Sequence, residues 1–470
     1  MPASTSEQPG PRRIAVLADS DTRWKWGALT ASRLTAHHDT GATLDGFLLR
    51  GRATPTPRQL TEVGVRADRL REVTAVEFLR EMERSVQGDG AVQGDGAVQG
   101  DGSAQGDGSA QGDEAGGYDM VVLALVGGGV QAVLHGLAHA WRGAPERPVV
   151  VTGYVGVVYE KLADGLLLRH GADVVLANSR YDAERFRAVY EGVGADAGSV
   201  TECALPFLGG ETYKEAHDPY TVVFAAQPSV PETQADRMYL LDRLVRHAER
   251  YPEREVLLKL RSKPGEHTTH IEEIPYQKLV QRLDPPPNFR LVYGNMGEVL
   301  DRTDLLVTVS STAALESLHR RVPTALLTDL GVREALGNHH FTGSGCLVSW
   351  DQLDAGELPG ADPAWVARQG VAAEGSYENA FDGARAKVAA LLAADRPPLA
   401  PYYSRTTAPG YLPRILARHH LAPDGSPLPG APAADRDPSA VRQIVRRAAR
   451  GAYRHGVQRV APVIRRMGEL

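Results

Sequence analysis

A chain of 470 residues is longer than one ordinary hydrophobic core sustains, so two domains are expected. With 42% hydrophobic and 23% charged residues it has the balance of a globular protein, and a net charge of −6 speaks against a nucleic-acid binder. Cys203 and Cys346 lie far apart in sequence, and no metal spacing or disulfide framework follows from them, so a reducing, cytoplasmic setting is expected.

The N-terminal MPASTSEQPGPRR has no apolar core, so no secretory signal is expected. No run of about 18 apolar residues offers a membrane span. Seven lysines stand against 45 arginines, so each lysine is informative.

The apolar run 14–18 reads as a first strand. It feeds Asp19-Ser20-Asp21-Thr22-Arg23-Trp24-Lys25-Trp26-Gly27 and then a helix to about 37. A strand, polar turn and helix open doubly wound α/β domains, although the dinucleotide G-x-G-x-x-G is missing. Asp19 and Asp21 are candidates for a base, for acceptor-hydroxyl ligands or for helix caps. Trp24 and Trp26 are candidates for core packing or for stacking on a sugar.

A second strand at 44–49 ends in a Pro-punctuated loop, 50–57, whose Arg50 and Arg52 suit an anion or simply the surface. A strand at 71–74 and a helix at 75–85 follow. Residues 86–117 are a six-residue repeat (VQGDGA and its variants) with too few bulky side chains to offset ordering entropy, so a disordered insert is expected. Strands are then expected at 119–126, 148–152, 173–177 and 201–204. Helices are expected from Gly127 to about 141 and over 180–190. His135 reads as structural. The loop 153–161 crowds two tyrosines, Glu160 and Lys161 at a strand's carboxyl end. Strands alternating with helices imply a parallel sheet covered on both faces.

Residues 205–219 read as a linker, which places a first domain at 12–207 and a second at 220–395. The second has expected strands at 221–226, 255–260, 289–293, 305–309 and 323–328. Its expected helices are 233–250, 275–283 and 311–320. Residues 396–439 are Pro-rich, with one helix near 411–419. In 440–468 Arg442, Arg446, Arg447, Arg450, Arg454, Arg459, Arg465 and Arg466 accompany a weak apolar stripe. That segment is either a basic amphipathic helix lying on an anionic membrane or a solvated tail.

The run 306–327, LVTVSSTAALESLHRRVPTALL, is a buried strand, a Ser310-Ser311-Thr312 turn, a helix carrying Glu316 and a Pro-entered strand. It resembles the nucleotide-sugar half of GT-B glycosyltransferases. The chain as a whole resembles an uncharacterised bacterial family described as glycosyltransferases, through ADSDTRWKWG, GFLLRGRATPTPRQL and VSSTAALES. The resemblance implies two Rossmann-like α/β domains facing a cleft. It implies that Ser310, Ser311 and Thr312 hold donor phosphate, that Glu316 holds a ribose or base hydroxyl, and that Gly294 and Asn295 flank the base.

Lys259, Arg261 and Lys263 end a strand in cations that suit a nucleotide phosphate or a carboxylated sugar. Transferases that use CMP-activated acidic sugars carry Lys-x-His-Pro here. This chain has Lys-Pro, so that histidine's role does not carry over, and His267 or His270 would have to stand in. His339 and His340 either close on the donor or pack against Phe341. Inverting transfer needs a group to deprotonate the acceptor, for which Asp19, Asp21 and Glu160 are the candidates. No Asp-x-Asp lies in the donor half, so a metal-independent reaction without cofactor is expected. The substrates would be a nucleotide-sugar and a cell-envelope, polysaccharide or lipid-linked acceptor. A sugar-nucleotide epimerase or hydrolase of the same fold, needing acids on both sides of the sugar, is the second reading. A non-catalytic nucleotide-sugar-binding protein is the third.

Overall fold

The computed structural model describes residues 12–35, 41–51, 53–87, 117–144, 146–157, 162–263, 266, 274–371 and 377–429. Most of the 86–117 repeat and all of the 440–468 segment lie outside the described residues. The expectations of a disordered insert and of a basic C-terminal helix therefore fall outside them too.

The first lobe is built on β1 (Arg13–Ala18), β2 (Thr43–Leu49), β3 (Arg69–Val73), β4 (Met120–Ala124), β5 (Val149–Gly153), β6 (Val174–Ala177) and β7 (Val200–Glu202). They form one parallel sheet in the order β3-β2-β1-β4-β5-β6-β7. Its connecting helices are α1 (Asp21–Leu34), α2 (Pro57–Val63), α3 (Ala75–Gln87), α4 (Gly127–Ala140), α5 (Leu162–Leu167) and α6 (Arg180–Gly192). The strands are apolar on both faces because helices cover both. Along β1, Ala15 and Leu17 join the cluster containing Phe78 and Leu134 of α3 and α4, while Ile14 and Val16 join the one containing Trp24 and Trp26 of α1. Both tryptophans are fully buried, so packing is their role.

The second lobe has β8 (Thr221–Ala225), β9 (Glu255–Lys259), β10 (Phe289–Val292), β11 (Leu305–Thr308), β12 (Thr324–Leu327) and β13 (Leu347–Val348), in the parallel order β10-β9-β8-β11-β12-β13. Its helices are α7 (Gln234–Arg250), α8 (Tyr276–Val280), α9 (Met296–Leu300), α10 (Ala313–His319), α11 (Trp350–Asp354) and α12 (Pro363–Arg368). Both sheets thus repeat the Rossmann order, reversing direction between β1 and β4 and between β8 and β11. Open α/β sheets bind ligands at such switch points, outside the carboxyl ends of the strands.

After the second lobe the chain crosses back. Helix α13 (Asp382–Leu392), which falls inside the 220–395 span expected for the second domain, packs on β5, β6, β7 and α1 of the first. Ala384 and Val388 join that lobe's buried cluster, and Arg385 Nη1 donates to the Arg33 carbonyl at 2.9 Å. The Pro-rich stretch beyond it also lies on the first lobe. Leu399, Ala408, Leu412 and Leu416 enter its other cluster, and α14 (Leu412–Ala417) rests on α4. Arg147, nearly buried, holds Asp173 through two bonds of 2.7 Å and donates to the Pro397 carbonyl, also at 2.7 Å.

The lobes share apolar contact as well. Ala314, Leu315 and Leu318 of α10 belong to the same buried cluster as Leu205 and Leu208 at the end of the first lobe.

One position replaces the missing glycine fingerprint. At Gly27 of α1 a Cβ would meet Val16 Cγ1 at 2.7 Å and Ala124 Cβ at 2.9 Å, so helix and sheet approach more closely than a side chain permits. Gly27→Val is therefore expected to destabilise the protein by about 1–3 kcal/mol, as overpacking does. The check is a lower urea midpoint at unchanged denaturant slope.

Candidate functional site

Between the lobes lies a cavity of about 510 Å³, walled by the loops that leave the carboxyl ends of both sheets. That size is typical of a small-molecule site. The second lobe contributes residues 225–229 after β8, 259–261 at the end of β9, 294–296 after β10 and the start of α10 after β11. The first contributes Asp21, Thr22 and Lys25 of α1, Gln59 and Glu62 of α2, Val155 and Val157 after β5, and Phe207.

Lys259 and Arg261 both line it. Lys259 is 8% exposed and its ammonium donates to the Leu260 carbonyl at 2.9 Å. Burial pushes this ammonium down to about 8, with Glu62 and Glu316 opposing and Arg261 and Lys25 adding to the fall. Arg261 reaches across the cleft: its Nη2 donates to Asp21 Oδ1 at 3.0 Å and to Thr22 Oγ1. Lys263 does not line the cavity. Strand β9 stops at Lys259, so the alternation that would align three cations ends there, and Lys263 lies 5.7 Å from the Tyr293 ring centroid.

The Ser310-Ser311-Thr312 turn lines the cavity, but most of its polar groups already have partners. Ser310 Oγ donates to the Leu336 carbonyl at 2.5 Å, and its N–H donates to Gln227 Oε1 at 3.0 Å. The Ser311 N–H donates to Thr308 Oγ1 at 3.2 Å, and Ser311 Oγ accepts from the Ala313 N–H at 3.2 Å. The groups of this turn best placed for a ligand are the Ser311 hydroxyl proton and Thr312.

Glu316, on the first turn of α10, is 8% exposed and lines the same wall. Burial raises its pKa against the pull of Lys25, Arg320 and Lys259. Gly294, at φ +96°, and Asn295 complete the far wall, where Asn295 Oδ1 caps α9 through the Gly297 N–H at 2.8 Å.

In the first lobe Asp21 faces the cavity and Asp19 does not. Asp19 is taken up by Arg23 at 2.9 Å and by the Val126 N–H at 3.0 Å, so it ties β1 to the start of α4. Ser20 caps α1. Glu160, His267 and His270 lie outside the described residues. His340 packs edge-on against Phe341, Tyr181 and Trp365, with ring centroids 5.1, 5.6 and 6.0 Å away, and neither it nor His339 lines the cavity. His135 meets the Tyr403 carbonyl at 3.0 Å, in the structural role expected of it.

Several lining residues were not anticipated: Lys25, Gln59, Glu62, Phe207 and Gln227. The Lys25 ammonium lies 5.1 Å from the Phe207 ring centroid. Gln59 and Glu62 stand on α2, a helix hidden in the Pro-punctuated loop. Thr56-Pro57-Arg58-Gln59 is nevertheless a capping box with Pro at the first helical position, and both reciprocal bonds form. Among the described residues no group of three or more His, Cys, Asp and Glu side chains could hold a metal ion.

Loops from the two lobes also touch beside the cavity. At Gly156 a Cβ would lie 2.8 Å from Thr312 Oγ1, so glycine allows the first lobe to close against the Ser-Ser-Thr turn. Two Rossmann-ordered sheets with a ligand-sized cleft at their carboxyl ends form the GT-B architecture.

A family model described as "Putative glycosyltransferase (DUF6716)" matches residues 14–391. The chain belongs to that family. No curated protein matches it significantly. Among solved structures it is similar to the S. aureus MnaA–UDP co-structure, at 12% identity over 80% of this chain and 94% of that one, TM-score 0.44. It is similar to the glycotransferase of kitacinnamycin, at 15% identity over 81% and 99%, TM-score 0.44. It is also similar to a lipopolysaccharide outer core galactosyltransferase, WaaB, at 9% identity over 79% and 98%, TM-score 0.38.

The lowered pKa of Lys259 gives this family member a testable signature. Below about pH 8 the ammonium keeps its proton and attracts an anion; above it, the charge is lost. An anion bound there draws a proton back on. Affinity for a nucleoside diphosphate should therefore fall as pH rises through 8, by at most about tenfold per unit. Lys259→Met should flatten that profile in a calorimetric titration.

Proposed function

We propose that the protein is a glycosyltransferase that moves a sugar from a nucleotide-activated donor to a glycan or lipid-linked acceptor of the cell envelope, with inversion and without a metal. The observation that carries this reading is the shared cavity. Lys259, Arg261 and the Ser311-Thr312 turn stand on the second lobe, where a donor phosphate would sit, and the Asp21 carboxylate faces them from the first. Family membership supports the same reading.

In this reaction the acceptor hydroxyl attacks the anomeric carbon. A C–O bond forms to the acceptor as the C–O bond to the phosphate breaks. The nucleotide leaves with the bonding electrons, and the acceptor proton passes to the Asp21 carboxylate. Lys259 and Arg261 stabilise the charge that grows on the leaving phosphate. Glu316 takes a ribose or base hydroxyl, and Gly294 and Asn295 flank the base. Asp19, bound to Arg23 and the Val126 N–H, keeps the strand-to-helix turn in place so that Asp21 faces the cleft.

One observation favours a second reading, a sugar-nucleotide epimerase or hydrolase. The cavity carries carboxylates on both lobes: Asp21 and Glu62 on one side, Glu316 on the other.

A thermal-shift screen of CMP, UDP, GDP and their sugar conjugates identifies the donor, because a ligand that binds only the folded chain raises its melting temperature. With that donor, nucleotide release that depends on added acceptor supports transfer, and release without acceptor supports hydrolysis. Asp21→Asn should lower kcat by about 10²–10⁴-fold, the usual contribution of a general base, while nucleotide still binds. Unchanged turnover in that variant would remove Asp21 from the mechanism.

A further inference from the structure

The Arg261–Asp21 contact joins the group proposed to grip the leaving phosphate to the group proposed to take the acceptor's proton. Arg261 is 28% exposed in its side chain and Asp21 14%, so the pair is screened only partly from the cavity's interior. A guanidinium binds a phosphate most strongly through two parallel N–H groups. Its two bidentate edges, Nε with Nη2 and Nη1 with Nη2, both use Nη2. Here Nη2 has two acceptors, Asp21 Oδ1 and Thr22 Oγ1. While it holds both, neither edge is complete. Asp21 Oδ1 is engaged as well, accepting from the guanidinium and from the Thr22 hydroxyl, so an acceptor hydroxyl would meet a carboxylate already held by the other lobe.

Neighbouring groups leave Arg261 as the movable partner. Lys259 is almost buried and anchored on its own strand end, at the Leu260 carbonyl. Glu62, the other first-lobe carboxylate lining the cavity, is already paired with Arg58 of its own helix, which also holds Glu266 of the second lobe. Arg261 therefore has Asp21 as its one ion-pair partner among the described residues, and a phosphate arriving beside Lys259 is the natural competitor.

We propose that donor phosphate and Asp21 compete for Arg261, so that loading the donor transfers the guanidinium to the phosphate and releases Asp21 to act as base. The inference rests on the glycosyltransferase reading above and adds an order to it. Donor binds first, and the base is armed only when there is a sugar to transfer.

The test is a double-mutant cycle on nucleotide affinity, with whichever of CMP, UDP or GDP gives the largest melting shift on the full chain. Asp21→Asn removes the competitor and should tighten binding by about twofold to fivefold, the scale of a partly exposed ion pair. In an Arg261→Gln background the same Asp21→Asn change should do nothing. Asp21→Glu, which restores a carboxylate, should return affinity toward wild type and shows that any gain comes from charge and not from altered folding. Wild-type binding that is unchanged or weakened by Asp21→Asn overturns the competition while leaving the nucleotide site standing. Failure of all three nucleotides to bind wild type overturns the site reading, and the competition with it.

Discussion

Helix α10 is the element on which the two lobes and the cavity jointly depend. One side of it, through Ala314, Leu315 and Leu318, is buried with residues of the first lobe. Its opening turn and Glu316 form a wall of the cavity. The same seven-residue helix therefore joins the lobes and sets one side of the space between them. The apolar contact fixes how near the turn comes to the first lobe, and Gly156 shows how near that is. Buried polar groups hold the turn from behind: Ser310 to the Leu336 carbonyl and to Gln227, Ser311 to Thr308. Satisfying those groups internally is what keeps such a turn rigid, since unpaired polar atoms at that depth would be costly. The consequence is chemical. A turn that seems from its composition to be a hydroxyl-rich phosphate cradle spends most of its donors on its own shape, and the positive charge comes from Lys259, Arg261 and Lys25.

Charge placement in the cavity follows from the same economy. Asp21 has Arg261 and Glu62 has Arg58, each as an ion pair. Glu316 has no ion pair or hydrogen bond from its carboxylate to another described side chain, and its raised pKa reflects burial that Lys25, Arg320 and Lys259 offset only in part. Lys259 shows the mirror effect, an ammonium pushed toward neutrality by its surroundings. A buried acid and a buried base, each shifted toward its uncharged form, make a site whose charge state responds to whatever enters it.

The strands were legible because parallel strands covered on both faces must be continuous apolar runs, and 14–18, 119–126, 148–152, 221–226 and 305–309 are such runs. Element ends moved by at most three residues. Strand β13, two residues long, and the short helices α2, α5 and α9 carry too little periodicity to register, although the Thr56–Gln59 capping box was there to be read. The return of α13 to the first lobe was not legible, because its apolar residues say only that one side is buried and not against which lobe.

The candidate site was legible to the extent that residues follow strand ends. Lys259, Arg261, Gly294, Asn295, Ser310 to Thr312 and Glu316 all sit where a strand of the second sheet stops, and all reach the cavity. Lys263 and Asp19 show the limit of that reasoning. Alternation predicts facing only while a strand continues, and β9 ends at Lys259. Two carboxylates two residues apart at a strand end look equivalent in sequence, yet the Val126 N–H claims Asp19 and the cleft receives Asp21. What separates them is a hydrogen bond from the N-cap of α4, more than a hundred residues away. The sequence order of a turn therefore names the candidates for a chemical role, and a neighbouring helix start decides which of them faces the cleft.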